Sequence, residues 1–104
     1  MTQFPYLARP LTIKGITFRN RIALAPMNTN YGEPEGTPGE IFTNYYCERG
    51  RGGTGLLIVS SAYIDPAVRK RAGGLLLHDD ALIPKFKSFV EAVHATGAIV
   101  FQQI

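Results

Sequence analysis

Three short apolar runs do most to limit what this chain can become. They are Ile22 to Ala25 in "RIALA", Leu56 to Val59 in "TGLLIVSS", and the stretch "AIVFQQI" that starts at Ala98. A run that is apolar at successive positions, rather than alternating, describes a strand buried on both faces, as in a parallel sheet. Parallel neighbours cannot be joined by a tight turn; each pair needs a crossover of about a dozen residues or more. The sequence supplies two helical crossovers. In "TPGEIFTNYYCERGRGG", Thr37 and Glu40 form a capping box with Pro38 at the first helical position. Ile41, Phe42, Tyr45 and Tyr46 then recur at helical spacing as one apolar face, and Gly50, Gly52 and Gly53 are expected to end the helix. In "ALIPKFKSFVEAVHATG", Phe86, Phe89, Val90 and Val93 share a stripe, with Gly97 as the C-terminal cap. Ahead of the first run, "LTIKGITFRN" reads as a hairpin turning at Lys14-Gly15, with Leu11, Ile13, Ile16 and Phe18 alternating with polar residues.

The predicted fold class is α/β: a β-hairpin followed by βαβαβ, the N-terminal part of a (β/α)8 TIM barrel. Three parallel strands leave two unpaired edges and thinly covered faces. A complete barrel takes roughly 250 residues, against 104 here. Residues 1–104 are therefore expected to form one incomplete segment of a barrel, with free strand edges that offer a route to a homo-oligomer.

Composition removes several classes of function. A hydrophobic share of 45% with 18% charged residues describes a globular chain. No apolar stretch approaches the roughly 18 to 20 residues of a membrane helix, and "MTQFPYLARP" has no basic leader before an apolar block. Membrane and secretory roles are not expected. One cysteine, Cys47, excludes an internal disulfide and suits a reducing cytoplasm. The net charge of +3 is densest in "RKR", Arg69 to Arg71, without interleaved aromatics. That reads as a solvated loop rather than a nucleic-acid stripe.

In a parallel barrel, binding groups come from the carboxyl ends of strands. The three ends here are Pro26-Met27-Asn28, Ser60-Ser61-Ala62 and Gln102-Gln103. They offer backbone amides, small side chains and carboxamides, but no strong acid, base or nucleophile. No phosphate loop, HExxH or metal-spaced Cys/His cluster is present. The set suits a flat heterocycle with a mixed donor and acceptor edge. A glutamine carboxamide places a donor beside an acceptor in one plane, as the pyrimidine edge of a flavin requires, and a methionine sulfur packs well on a ring. Taken alone, each feature also has an ordinary reading. Pro-Met is a common strand terminus, paired serines form turns, and a strand-end glutamine is commonly a satisfied polar residue. A non-catalytic, self-associating module and a flavin-free barrel enzyme with a phosphorylated substrate remain open at this point.

The blocks "NRIALAPMNTN", "YYCERGRGGTGLLIVSSAYIDP" and "AVHATGAIVFQQI" together resemble the N-terminal part of the old yellow enzyme family of NADH:flavin oxidoreductases. The likeness is strongest to the branch of 2,4-dienoyl-CoA and 2-enoate reductases. It runs in order from Leu11 to Ile104. The resemblance implies a (β/α)8 barrel closed below by a hairpin, binding FMN non-covalently. It implies hydride passing from NAD(P)H to the activated C=C bond of a small enone or enoyl thioester. By position, Pro26 and Met27 match the first-strand FMN contacts, and Asn28 the residue beside the flavin N5 and O4 edge. Ser61 matches the small second-strand residue, with Ser60 the alternative in register, and Gln103 the glutamine on the pyrimidine edge. No catalytic residue is assigned within these residues. Relatives carry Thr, Cys, Gly or His where Asn28 stands, which implies a differently tuned flavin. The family continues past the position of Ile104 into x-H-x-G-R, and its substrate-orienting pair, proton donor and phosphate site lie farther along. This segment alone is accordingly expected to be inactive. An iron–sulfur cluster and FAD are implied only for a longer parent.

The remaining reactive side chains are expected to have no chemical role. Cys47 lies opposite the apolar helical face and should meet solvent or a neighbouring helix. His94 flanks its helix stripe, His78 sits in "LLLHDD", Glu33 and Glu35 read as solvated charges, and Tyr31 is as readily structural as a border to the site.

Overall fold

The computed structural model describes residues 3–104; Met1 and Thr2, the start of the stretch read as lacking a leader, lie outside them. After a single helical turn, α1 (Pro5–Ala8), strands β1 (Leu11–Ile13) and β2 (Ile16–Phe18) form the expected antiparallel hairpin. Lys14 and Gly15 both take positive φ, 48° and 81°. Two consecutive left-handed residues give the turn the twist that a two-residue hairpin demands. The chain then alternates as predicted through β3 (Ala23–Leu24), α2 (Glu40–Arg51), β4 (Leu56–Val59), α3 (Ile83–His94) and β7 (Ile99–Gln102). The three strands form one parallel sheet in the order β3-β4-β7, with Leu24 opposite Leu57 and Val59 opposite Gln102. Two further strands, β5 (Ala62–Tyr63) and β6 (Leu75–Leu76), pair in parallel within the long connection after β4. Their two-residue length leaves no periodicity to read in the sequence.

Both helices pack on one face of the sheet. Strand β4 alternates half-buried and buried, so Leu57 and Val59 enter the core while Leu56 and Ile58 lie on the other face. Phe42, Tyr46, Leu57, Val59, Phe89 and Val93 form the centre of that core. Phe42, Tyr46 and Phe89 meet at centroid distances of 4.9 to 5.7 Å in tilted and edge-on contacts. On the opposite face, Phe18 of the hairpin stands edge-on to Phe101 at 6.1 Å. With Leu11, Ile13, Ile22, Ala23 and Leu56 these rings line an apolar hollow beside the hairpin. The arrangement is that of the first strands of a TIM barrel: helices outside, hairpin at the strand starts, and an inward face that the other strands of a barrel would complete.

Several local expectations are corrected. The capping box does not form. Thr37 is buried and donates to Glu35 Oε1 at 3.0 Å, while its carbonyl accepts from Glu33 N–H, so α2 begins two residues after Pro38 with Gly39 at its cap and no side-chain capping bond. The turn captured the threonine before the helix could. Ile41, expected on the core face, is 67% exposed, whereas Cys47, expected opposite that face against solvent or a neighbouring helix, is 3% exposed within the core. The buried stripe of α2 is Phe42, Tyr46, Cys47 and Gly50; its true axis is one residue displaced from the one read by hydrophobicity. Gly50 does not end the helix. It lies inside α2, where a Cβ would stand 2.1 Å from Thr96 Oγ1, so its role is close approach to the end of α3. Gly52 and Gly53 (φ 105°) do the terminating. The run Ile22 to Ala25 is not buried on both faces: only Ala23 and Leu24 pair, and Ile22 and Ala23 are exposed. In this chain β3 is an edge strand, its inward face meets little beyond the hairpin, and Pro26 can donate nothing to a ladder. Arg69 is not a solvated loop charge either. It is half-buried and donates to the carbonyls of Pro34 (2.6 Å), Glu33 (3.3 Å) and Ala72, clipping two loops together, while Lys70 and Arg71 are exposed.

Candidate functional site

The carboxyl ends of β3, β4 and β7 lie side by side, and a run of hydrogen bonds laces them together. Ser61 Oγ pairs with Asn28 Oδ1 at 3.1 Å, joining the first end to the second. Because a carboxamide oxygen can only accept, the serine hydroxyl is the donor, and Asn28 keeps its N–H2 for another acceptor. Ala62 N–H donates to Gln103 O at 3.0 Å, joining the second end to the third. Gln102 Nε2 donates to Ser60 O at 2.7 Å across the same seam. Three neighbouring strands span about 10 Å, comparable to the long dimension of a three-ring flavin.

Of the residues singled out from sequence, Asn28 and Ser61 are in direct contact, and Gln103 reaches Ala62 through its backbone. Met27 is 53% exposed at the same end of the sheet, Pro26 is half-buried and Gln103 is exposed. Side chains alternate along β7, so Phe101 shares the inward face with Ile99, while Gln102 follows Ala98 and Val100 on the helix side; Gln103 stands just past the strand end. His78 and His94 are exposed. Glu35 is exposed as expected, its carboxyl held below the usual range first by backbone hydrogen bonding and then by the Thr37 hydroxyl. Tyr31 packs edge-on to Tyr45 at 5.8 Å, and Arg49 stacks over the Tyr45 ring at 3.5 Å. Among the described residues there is no cluster of His, Cys, Asp or Glu that could hold a metal, and no helix is long and apolar enough to cross a membrane.

Sequence reasoning missed Tyr46 and Gln102. Tyr46 was read as one apolar residue of a helical face. It is 1% exposed, and its phenol oxygen accepts from Ser60 N–H at 3.0 Å. A signal existed: a buried tyrosine must find a partner for its hydroxyl. Its identity needed the fold. Burial raises the Tyr46 pKa above its ordinary value of 10.0, with the Ser60 hydrogen bond pulling weakly the other way. A raised pKa means that the folded state holds this proton more tightly than the unfolded chain. Stability from this group is therefore intact below pH 10 and is lost as pH rises from there through the raised value. In an alkaline absorbance titration, the Tyr46 phenol should ionise as a late component, together with unfolding. Tyr46→Phe should remove the late component; a late component that persists would refute the assignment.

Residues 6–104 match the family described as NADH:flavin oxidoreductase / NADH oxidase. The chain belongs to that family. Over its whole length it is 39% identical to an NADH oxidase of Thermoanaerobacter brockii, of which it spans 16%. Among solved structures, 98% of the chain superposes on a 2-naphthoyl-CoA reductase with a TM-score of 0.93 at 24% identity, spanning 16% of that chain. At that identity the likeness shows the fold alone. Morphinone reductase in complex with tetrahydroNAD matches 94% of the chain with a TM-score of 0.81 at 31% identity, and 26% of that chain is spanned. The described residues thus have the architecture of the opening portion of an old yellow enzyme barrel, and they correspond to about a sixth to a quarter of the length of these flavin oxidoreductases.

Proposed function

We propose that the protein containing these residues is an FMN-dependent oxidoreductase, an ene reductase using NAD(P)H, and that the laced strand ends are one wall of its flavin site. The observation that carries this reading is the convergence of Asn28, Ser61 and Gln103 on adjacent strand tips in a chain of the NADH:flavin oxidoreductase family. The donor set fits the group. Exposed Met27 and half-buried Pro26 offer apolar surface to a ring face, the exposed carboxamide of Gln103 offers a donor and an acceptor to the pyrimidine edge, and Asn28 offers N–H2 to the edge near N5 and O4. FMN, when bound, supplies the hydride relay between the nicotinamide and the activated C=C bond. The residues of this chain bind and orient the ring and bias its electronics; they contribute no acid or base. The substrate is a small enone or enoyl thioester. The buried, unpaired thiol of Cys47 fits a reducing cytoplasm. The free edges of β3 and β7 would be covered by further barrel strands, and by themselves they favour self-association. An iron–sulfur cluster or FAD would lie outside these residues.

The full-length protein should purify yellow or become so when FMN is added. Gln103→Leu removes two hydrogen bonds of about 1 kcal/mol each, so FMN affinity should fall roughly ten- to thirtyfold. Flavin fluorescence titration reads both outcomes. A protein that stays colourless in excess FMN would refute the flavin reading.

A further inference from the structure

We propose that Tyr46 and Gln102 are positioning residues for the flavin wall, gripping the Ser60 peptide groups from two elements so that the Ser61 N–H is aimed outward from the sheet. The proposal rests on the flavin reading above and extends it to two residues that face the core side.

Pairing along β4 explains why a grip is needed. Leu56 N–H donates to Ile22 O at 3.1 Å, so the β3 edge receives the N–H groups of alternate residues, Leu56, Ile58 and Ser60. Pairing between β3 and β4 ends at Leu24 and Leu57, and the chain beyond runs into Pro26. Ser60 is buried, and its N–H would be left without a ladder partner. The Tyr46 hydroxyl, carried by α2 from beneath the sheet, fills that vacancy at 3.0 Å. On the other side, Gln102 Nε2 takes Ser60 O at 2.7 Å.

Ser60 C=O and Ser61 N–H belong to one planar peptide unit, and it is trans. Fixing the carbonyl toward Gln102 therefore fixes the Ser61 N–H in the opposite sense. Tyr46 fixes the preceding peptide plane. With both planes held, Ser61 Cα has little freedom, and its hydroxyl stays on Asn28. Two side chains that never reach the cofactor thus decide where a backbone donor and the Asn28 carboxamide stand. Such donors act only as well as they are held.

The test uses full-length protein with FMN in its oxidised and reduced forms. Tyr46→Phe keeps the ring in the core and removes only the acceptor; Gln102→Met keeps the length and removes the donor. Each should weaken binding of oxidised FMN three- to tenfold, change the ratio of affinities for reduced and oxidised FMN at least threefold, and shift the visible flavin spectrum. The double variant should fall short of the product of the singles, because the two act on the adjacent peptide planes that meet at Ser60. Exchange of the Ser60 amide hydrogen in FMN-free protein should quicken at least tenfold in Tyr46→Phe. Tyr45→Phe, whose ring packs on Tyr31 and Arg49, serves as the control and should leave all of these unchanged. A wild type that binds FMN while both variants keep its affinity, ratio and spectrum within twofold overturns the proposal. A wild type that takes up no FMN overturns the flavin reading instead, and this proposal with it. Should Tyr46→Phe not fold, Gln102→Met alone decides the outcome by the same measures.

Discussion

Replacing Arg19 with methionine should lower the unfolding free energy by about 3 kcal/mol, the largest loss expected from any single side chain here. Arg19 follows the hairpin directly and is half-buried. Its guanidinium donates to Thr96 O at 2.9 Å, to Thr54 O at 2.9 Å and to Gly50 O. Two of those carbonyls stand at the C-terminal ends of α2 and α3, where a helix leaves acceptors unpaired and carries partial negative charge. One planar cation therefore ties the ends of both helices to the loop that enters β4. Bonds of this charged kind contribute about 1.5–3 kcal/mol each, and three of them are not additive when the carbonyls can recover water, so the upper end of the single-bond range, rather than the sum of three, is expected for the set. Lysine should rescue less than half of the loss, because a single ammonium cannot span three acceptors that a fork reaches together. Urea unfolding of the full-length protein measures both variants. A loss below 1 kcal/mol for Arg19→Met would show that the clamp is decorative.

Gly73→Ala should be nearly as damaging, by about 3 kcal/mol, and its effect should be felt at the proposed flavin wall. A Cβ at position 73 would lie 2.0 Å from Asn30 O and 2.2 Å from Asn30 C, which are backbone atoms and cannot swing aside. Gly32 N–H donates to Gly73 O at 3.0 Å across the same contact, and Asn30 already holds a left-handed φ of 57°. The loop leaving Asn28 and the loop between β5 and β6 would have to part, loosening the Arg69 clip that binds them. Binding of FMN should fall more than tenfold while the core unfolds as cooperatively as before. Fluorescence titration beside a urea transition separates the two effects. Wild-type FMN affinity in Gly73→Ala would mean that these loops do not brace the site.

Much of the architecture was open to reading before any coordinates. The hairpin, both crossover helices and the three parallel strands follow from signals that are local: a Lys-Gly turn, apolar residues at helical spacing, runs apolar at every position. Gly97, read as the cap of the second helix, takes φ 88° two residues beyond Ala95, which is the actual C-cap of α3. The strand ends were legible as well, since each run stops at a proline, a serine pair or a glutamine pair. What failed was local chemistry facing two competing partners. Thr37 had a helix to cap and a carboxylate to donate to, and the Glu33–Thr37 turn took it. Ile41 and Cys47 exchanged the sides assigned to them because the buried face of α2 is set by what β4 and α3 present, whereas an isolated helix is read by hydrophobicity alone. Gly50 looked like a stop signal and proved to be a contact with Thr96.

The amino-acid order by itself determined the hairpin and the alternation of the three main strands with two helices, the parallel sense of the sheet and which residues fall at the strand ends, because backbone period and turn chemistry act over a few neighbours. Only the tertiary structure decided that Asn28 meets Ser61, that Tyr46 and Gln102 hold Ser60, and that Arg19 and Arg69 join distant carbonyls. Those partners are separated by 14 to 77 residues. A hydrogen bond between them exists only once packing has brought both ends together, and no local pattern encodes that meeting.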